Sequence, residues 1–269
     1  MKRVFAALCA ASMGIVAGCG GGNAGSAKVN GNYAIQATPS SSSTGGGGGY
    51  FLGGPLNGSG SGITGTFHII DSANCVSETT AIPVSGSDSG TTIKLATSSA
   101  LTQVITIKGA ISSDGATISS GTYNVTGSCT NNPGGTVTGF RVAPFTGNYT
   151  GNLTVADNVG NPTTTQFATT ANFTQSGSAD MNGFFSVTGP VVVNSPCFAN
   201  FAIAQSQIFG TQFLLVLTPN GVATGAGVPT LTMNGYATDA TAKQISGRYT
   251  VANMSAGCTT NGFVLITAP

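Results

Sequence analysis

The chain contains no tryptophan, one histidine (His68) and one glutamate (Glu78), and only 6% of its 269 residues are charged. Each scarcity excludes a class of function. Nucleic-acid binding needs clustered Lys and Arg to neutralise phosphates; no such cluster exists, nor a polybasic patch for a membrane surface. A transmembrane β-barrel carries aromatic girdles at both interfaces, which a chain with 7% aromatics and no Trp does not supply. Acid–base catalysis near neutrality would centre on His68, but the residue equivalent to it in the repeat described below is Ser186. Asp71, three residues further along a strand, points to the opposite face. A glycosidase needs two converging carboxylates, whereas Glu78 stands alone. Asp71, Asp88, Asp114, Asp157, Asp180 and Asp239 fall mostly in turn sequences, where an Asp side chain caps its own backbone. Asp157-Asn-Val-Gly-Asn161 lacks the ligand spacing and acidic closure of an EF-hand loop. No catalytic, cofactor-binding or metal-binding residue is therefore assigned.

What is abundant is glycine, 41 residues of it, together with Ser, Thr and Asn. A surface of hydroxyls and amides stays hydrated without generating a strong field. The formal charge of +1 includes Lys2 and Arg3, so the remainder carries +1 − 2 = −1.

The chain repeats itself. Ile105-Thr-Ile-Lys-Gly109, Ser120-Gly-Thr-Tyr-Asn-Val125, Gly127-Ser-Cys129-Thr and Phe140 to Ala143-Pro144 recur as Leu231-Thr-Met-Asn-Gly235, Ser246-Gly-Arg-Tyr-Thr-Val251, Gly257-Cys258-Thr and Phe263 to Ala268-Pro269. The beginnings match as well. Gly31-Asn-Tyr33 recurs as Gly147-Asn-Tyr149, and Gly65-Thr-Phe67 before Cys75 recurs as Gly183-Phe-Phe185 before Cys197. Two copies follow, residues 29–144 and 145–269, each of domain size. Within them apolar and polar residues alternate with period two, the mark of half-buried strands: Tyr149, Leu153 and Val155 on one face, Asn148, Thr150, Asn152 and Thr154 on the other. In copy two this predicts eight strands, near 147–155, 165–175, 182–188, 197–206, 210–218, 229–237, 244–251 and 260–267. Exposed sheet edges are usually guarded by charge, which is missing here, and closing the sheet removes the edges. The fold class expected is all-β, with two tandem homologous antiparallel domains built as eight-stranded up-and-down, calycin-like barrels; β-sandwiches are the alternative. Phe213-Leu-Leu-Val-Leu217 is apolar on both faces, so its outer side is expected to pack on the other copy or a partner. Ser40 to Gly49 reads as an insertion between the first two strands.

The first residues carry an export signal. Lys2 and Arg3 precede an apolar stretch, Val4 to Ala17, shorter than the roughly 20 residues of a spanning helix. Val16-Ala17-Gly18-Cys19 resembles the lipobox of bacterial lipoproteins. The resemblance implies cleavage before Cys19, a diacylglyceryl group on its thiol, acylation of the new amine, and a membrane partner reached through lipid alone. Residues 1–18 are thus the signal peptide. The Gly/Ser/Ala-rich 19–28 is a flexible tether spanning on the order of 15–20 Å. Gly20, rather than Asp, follows Cys19, which favours the outer membrane of the cell envelope. The Gly-Asn-Tyr openings, Gly-x-Phe strands and paired cysteines make the rest similar to Gly/Thr-rich β-repeat lipoproteins of environmental bacteria. Tyr33 and Tyr149 also stand where lipocalin-type barrels have Gly-x-Trp, with Arg141 in a last strand. Trp is absent and copy two has no such Arg, so no ligand is carried over.

Setting Cys9 and Cys19 aside leaves Cys75, Cys129, Cys197 and Cys258 as a disulfide framework; they are too far apart in sequence for the close pairs of a structural zinc site. The duplication selects Cys75–Cys129 and Cys197–Cys258. In copy two both cysteines open even-numbered strands on opposite sides of one barrel mouth, so the stretch Thr188 to Pro196 is expected to cross as a lid, leaving the other end as the binding face. The function expected is that of a non-catalytic envelope lipoprotein, structural, adhesive or binding a small hydrophobic ligand or glycan; the alternative is a hydrolase with an unrecognised site.

Overall fold

The computed structural model describes residues 29–40, 49–71, 81–98, 103–127, 134–258 and 260–269. The signal and tether with Cys19, most of the 40–49 insertion, Glu78, Cys75 and Cys129 lie outside the described residues. No α-helix occurs among the described residues.

Copy one is a closed meander of β1 (Asn30–Pro39), β2 (Tyr50–Ser59), β3 (Gly62–Asp71), β4 (Ile82–Asp88), β5 (Thr92–Thr97), β6 (Gln103–Ile111), β7 (Thr117–Gly127) and β8 (Gly134–Val142). Each strand pairs with its sequence neighbour, and β8 returns to β1 in an unbroken register from Asn32↔Val142 to Pro39↔Gly135. The alternation turns Tyr33, Ile35 and Ala37 of β1 and Ile105, Ile107 and Ile111 of β6 inward, where they are buried with Tyr50, Leu52, Phe67 and Ile69. Tyr50 and Tyr123 meet edge to face at 5.9 Å. The barrel is filled by these side chains, each contributing about 1.5–3 kcal/mol by leaving water.

Copy two comprises β9 (Gly147–Ala156), β10 (Pro162–Gln175), β11 (Val187–Thr188), β12 (Val191–Val193), β13 (Phe201–Phe209), β14 (Gln212–Pro219), β15 (Thr230–Ala237), β16 (Gln244–Ala252) and β17 (Gly262–Thr267). β11 and β12 are one third strand in constant register on β10, interrupted where Pro190 has no N–H to give. The predicted third strand, 182–188, therefore lies several residues too early. The predicted fourth strand begins only at Phe201, because Pro196–Phe198 form a 3-10 turn capped by the Ser195 hydroxyl. The ring is nearly closed. Among the described residues, the gap to β13 is closed by one two-way bridge, Phe185, just before the third strand, with Ile208, and by the Ser206 hydroxyl, which donates to the Val187 carbonyl and accepts from its N–H, both at 2.9 Å.

The Cys197–Cys258 disulfide is present, with Cα atoms 5.5 Å apart. β13 and β17 stand four places apart in the strand order, so the bridge spans the mouth. The crossing segment is shorter than predicted, since residues 191–193 belong to the sheet; only 194–200 cross. Phe198 plugs this end, buried and edge-to-face with Phe167 and Phe201.

In each copy the first-strand tyrosine spans a barrel end, in copy two the end opposite the disulfide, and donates to the turn between the sixth and seventh strands. Tyr33 Oη bonds the Gly115 carbonyl at 2.6 Å and Tyr149 Oη bonds that of Ala242 at 2.8 Å. Burial pushes the Tyr33 hydroxyl up to about 12, against the opposing pull of Arg141, and raises Tyr149 likewise, so both remain donors.

Candidate functional site at the seam between the barrels

The two barrels dock, and the contact is built from outward-facing residues of β1, β2, β3 and β8. Asn32 is buried and makes two reciprocal bonds to one residue of copy two: its Nδ2 donates to the Gly210 carbonyl at 2.7 Å and its Oδ1 accepts from the Gly210 N–H at 2.6 Å. Glycine is required on both sides. Gly210 has φ +53°, and a Cβ on Gly53 would stand 2.9 Å from the Gly210 nitrogen. Ala34 and Val142 of copy one belong to the hydrophobic core of copy two.

His68 is the second anchor. It is 4% exposed although it lies on the outer face of β3, because Phe184 stacks on it at 4.0 Å and Phe209 lies at 4.9 Å. The Nε2–H donates to the Asn182 carbonyl at 3.0 Å. Asp180 shapes the turn that presents these groups, its Oδ1 accepting from the N–H groups of Asn182 and Phe184 at 2.9 Å each. Burial holds the imidazole below its ordinary value, against the Asn182 carbonyl and the Asp180 carboxylate, which favour the charged form. His68 is thus an interface residue, and among the described residues no carboxylate hydrogen-bonds its ring.

Three further aspartates act as the turn sequences imply. Asp114 accepts from Ser112 Oγ and Ala116 N, Asp157 from the N–H groups of Val159 and Asn161, and Asp239 from Thr241 N and Oγ1. These bonds hold all three carboxyls below the usual range. No group of three or more His, Cys, Asp or Glu that could hold a metal occurs among the described residues.

The docking changes one expectation: the end of copy two opposite its disulfide does not stand free, because its turns around Phe184, Gly210 and Ala240 rest on the wall of copy one and on the linker, with Ala143 N donating to the Ala240 carbonyl at 2.7 Å, and the space left there is shared with copy one. Contact with copy one comes from the turn before Phe213-Leu-Leu-Val-Leu217, at Phe209–Thr211.

Three cavities flank the seam, one of them, about 460 Å³, between Asn57, Gly65 and Thr66 of copy one and Gly177–Asp180 of copy two. A groove of about 450 Å³ has Phe51, Ile70 and Phe140 on the copy-one side and Tyr236 on the copy-two side, with Gln36, Thr138, Thr211, Gln212 and Thr238 around them and no charged residue. Tyr236 and Ile70 are 49% and 38% exposed, two of the seven large hydrophobic side chains exposed among the described residues. A larger cleft, about 770 Å³, lies at the ends of the same strands, between Asn30–Asn32, Arg141 and Val142 of copy one and Thr174–Gly177 of copy two. None was located from the sequence. The signal available was the apolar character of outward positions on β1, β2, β3 and β8: Ala34, Phe51, Ile70, Phe140 and Val142.

The chain matches no protein-family model, no curated protein and no solved structure.

Proposed function

We propose that this chain is a non-catalytic, lipid-anchored binding protein of the cell envelope whose ligand is a neutral glycan held in the groove between the barrels. The carrying observation is the composition of that groove, where Tyr236, Phe51 and Phe140 are ringed by amides and hydroxyls and no charge enters. Aromatic faces pack against the C–H faces of sugar rings, while Gln and Thr exchange hydrogen bonds with sugar hydroxyls. The filled barrel interiors leave the seam, rather than a lumen, as the place for a ligand. The turn-capping roles of the described aspartates support a binding rather than a hydrolytic role. Anchoring rests on Val16-Ala17-Gly18-Cys19 after a basic, apolar start.

A neutral-oligosaccharide array probed with the full chain, followed by calorimetry on the best hit, tests the reading. Tyr236→Ala should weaken binding about tenfold or more. Absence of any neutral-glycan hit, or a hit indifferent to Tyr236→Ala, rejects it. Palmitate labelling lost in Cys19→Ala tests the anchor.

A further inference from the structure

Arg141 lines the larger seam cleft with its guanidinium uncommitted. Its side chain makes no hydrogen bond or ion pair among the described residues. The nearest acid that feels it, Asp114, is already engaged by Ser112 and Ala116, and Arg141 is the last and weakest influence on it. The side chain is half-buried and runs along Gly31, its Cδ 3.2 Å from where a Gly31 Cβ would stand, so the missing side chain at residue 31 makes room for it. Around it the lining is neutral: Asn30, Thr146, Thr174, Gln175 and Ser176 supply amides and hydroxyls, and Val142 and Phe185 supply apolar surface. No carboxylate lines this cleft.

We propose that the cleft at Arg141 binds a saccharide bearing one carboxylate, a uronic-acid type sugar, with the carboxylate on the guanidinium and the ring among the amides and hydroxyls. A half-desolvated Arg without a partner is matched by one planar anion, to which its fork donates two parallel bonds. One cation in a neutral lining balances one negative charge. A phosphate monoester brings nearly two charges, and the lining offers no second cation. The space, about 770 Å³, accommodates a disaccharide. The site is separate from the aromatic groove and does not depend on it.

Calorimetry on the full chain with galacturonyl-galactose, which carries one carboxylate, a neutral galactose disaccharide and inorganic phosphate decides the matter. The mono-acidic disaccharide should bind, the neutral one should bind at least about tenfold more weakly, and phosphate should neither bind comparably nor compete. Arg141→Gln should lose about tenfold or more. Ala240→Trp, which fills the cleft from the half-buried turn that borders it and keeps Arg141, should abolish binding, guarding against an Arg141 variant that fails through misfolding. Tyr236→Ala should leave it unchanged, so failure of the groove and failure of the cleft are distinguishable. Equal binding of acidic and neutral disaccharides, equal binding of phosphate, or binding that survives both Arg141→Gln and Ala240→Trp overturns the proposal.

Discussion

The two copies share a strand plan and close it differently. Copy one joins every neighbouring pair by a ladder, unbroken between β8 and β1 and irregular only where β7 meets β6 and β8. Copy two closes the gap to β13 by one bridge and one serine hydroxyl. What it lacks along that wall it recovers at its ends, where a disulfide-pinned turn with Phe198 covers one mouth and copy one itself covers the other. A duplicated barrel thus need not remain independent. Once one copy is closed by its own ladder, its outer wall becomes a surface on which the other is completed.

The largest break in this comparison should come from the disulfide. Replacing Cys197 and Cys258 by Ser opens a loop with a sequence separation of 61, which in the chain-entropy model destabilises by about 4 kcal/mol. Denaturation followed by hydrogen exchange should show the amides of β13 and β17 losing protection first, with those of β6 and β7 unchanged. Equal loss in both copies would mean that the barrels unfold as one unit.

Cutting the other support is the next test. Asn32→Ala leaves the Gly210 N–H and carbonyl without their buried partner, at a cost of about 2–4 kcal/mol. Calorimetric melting should separate into two transitions in this variant if the wild type melts as one. A single unchanged transition would show that the seam adds little to either barrel.

The smallest effect should be set by pH at His68. Its folded value lies below the ordinary 6.5, so the unfolded chain binds more protons in the acid range. The contribution of the neutral, stacked ring is complete above the ordinary value and is lost as pH falls through it. Stability should therefore decline below that point in the wild type and less in His68→Phe. NMR titration of the ring should give a value below 6.5; a value at or above it would count against the burial argument.

The duplicated motifs show where legibility stops. Gly31-Asn-Tyr33 and Gly147-Asn-Tyr149 are the same words in two places, and their tyrosines do the same work, each bonding the turn after the sixth strand. The intervening asparagines do not. Asn32 is buried on Gly210 while Asn148 is exposed. Period-two alternation predicts that both point outward, and both do; it cannot say that a second barrel waits outside one of them. His68 and Ser186 part company for the same reason, and so does Arg141, whose cleft exists only where Thr174–Gly177 approach it.

By itself, then, the sequence determined the number and sense of the strands, their inward faces, the turn-capping aspartates and the Cys197–Cys258 partnership, because local periodicity, turn chemistry and repetition act within one copy. The shortened third strand, the single-bridge closure, the docking of copy two on the wall of copy one and the seam cavities were decided only by the tertiary structure. They depend on contacts such as Asn32 with Gly210, 178 residues apart, where the physical requirement on each residue comes from a surface that its own neighbours in sequence do not encode.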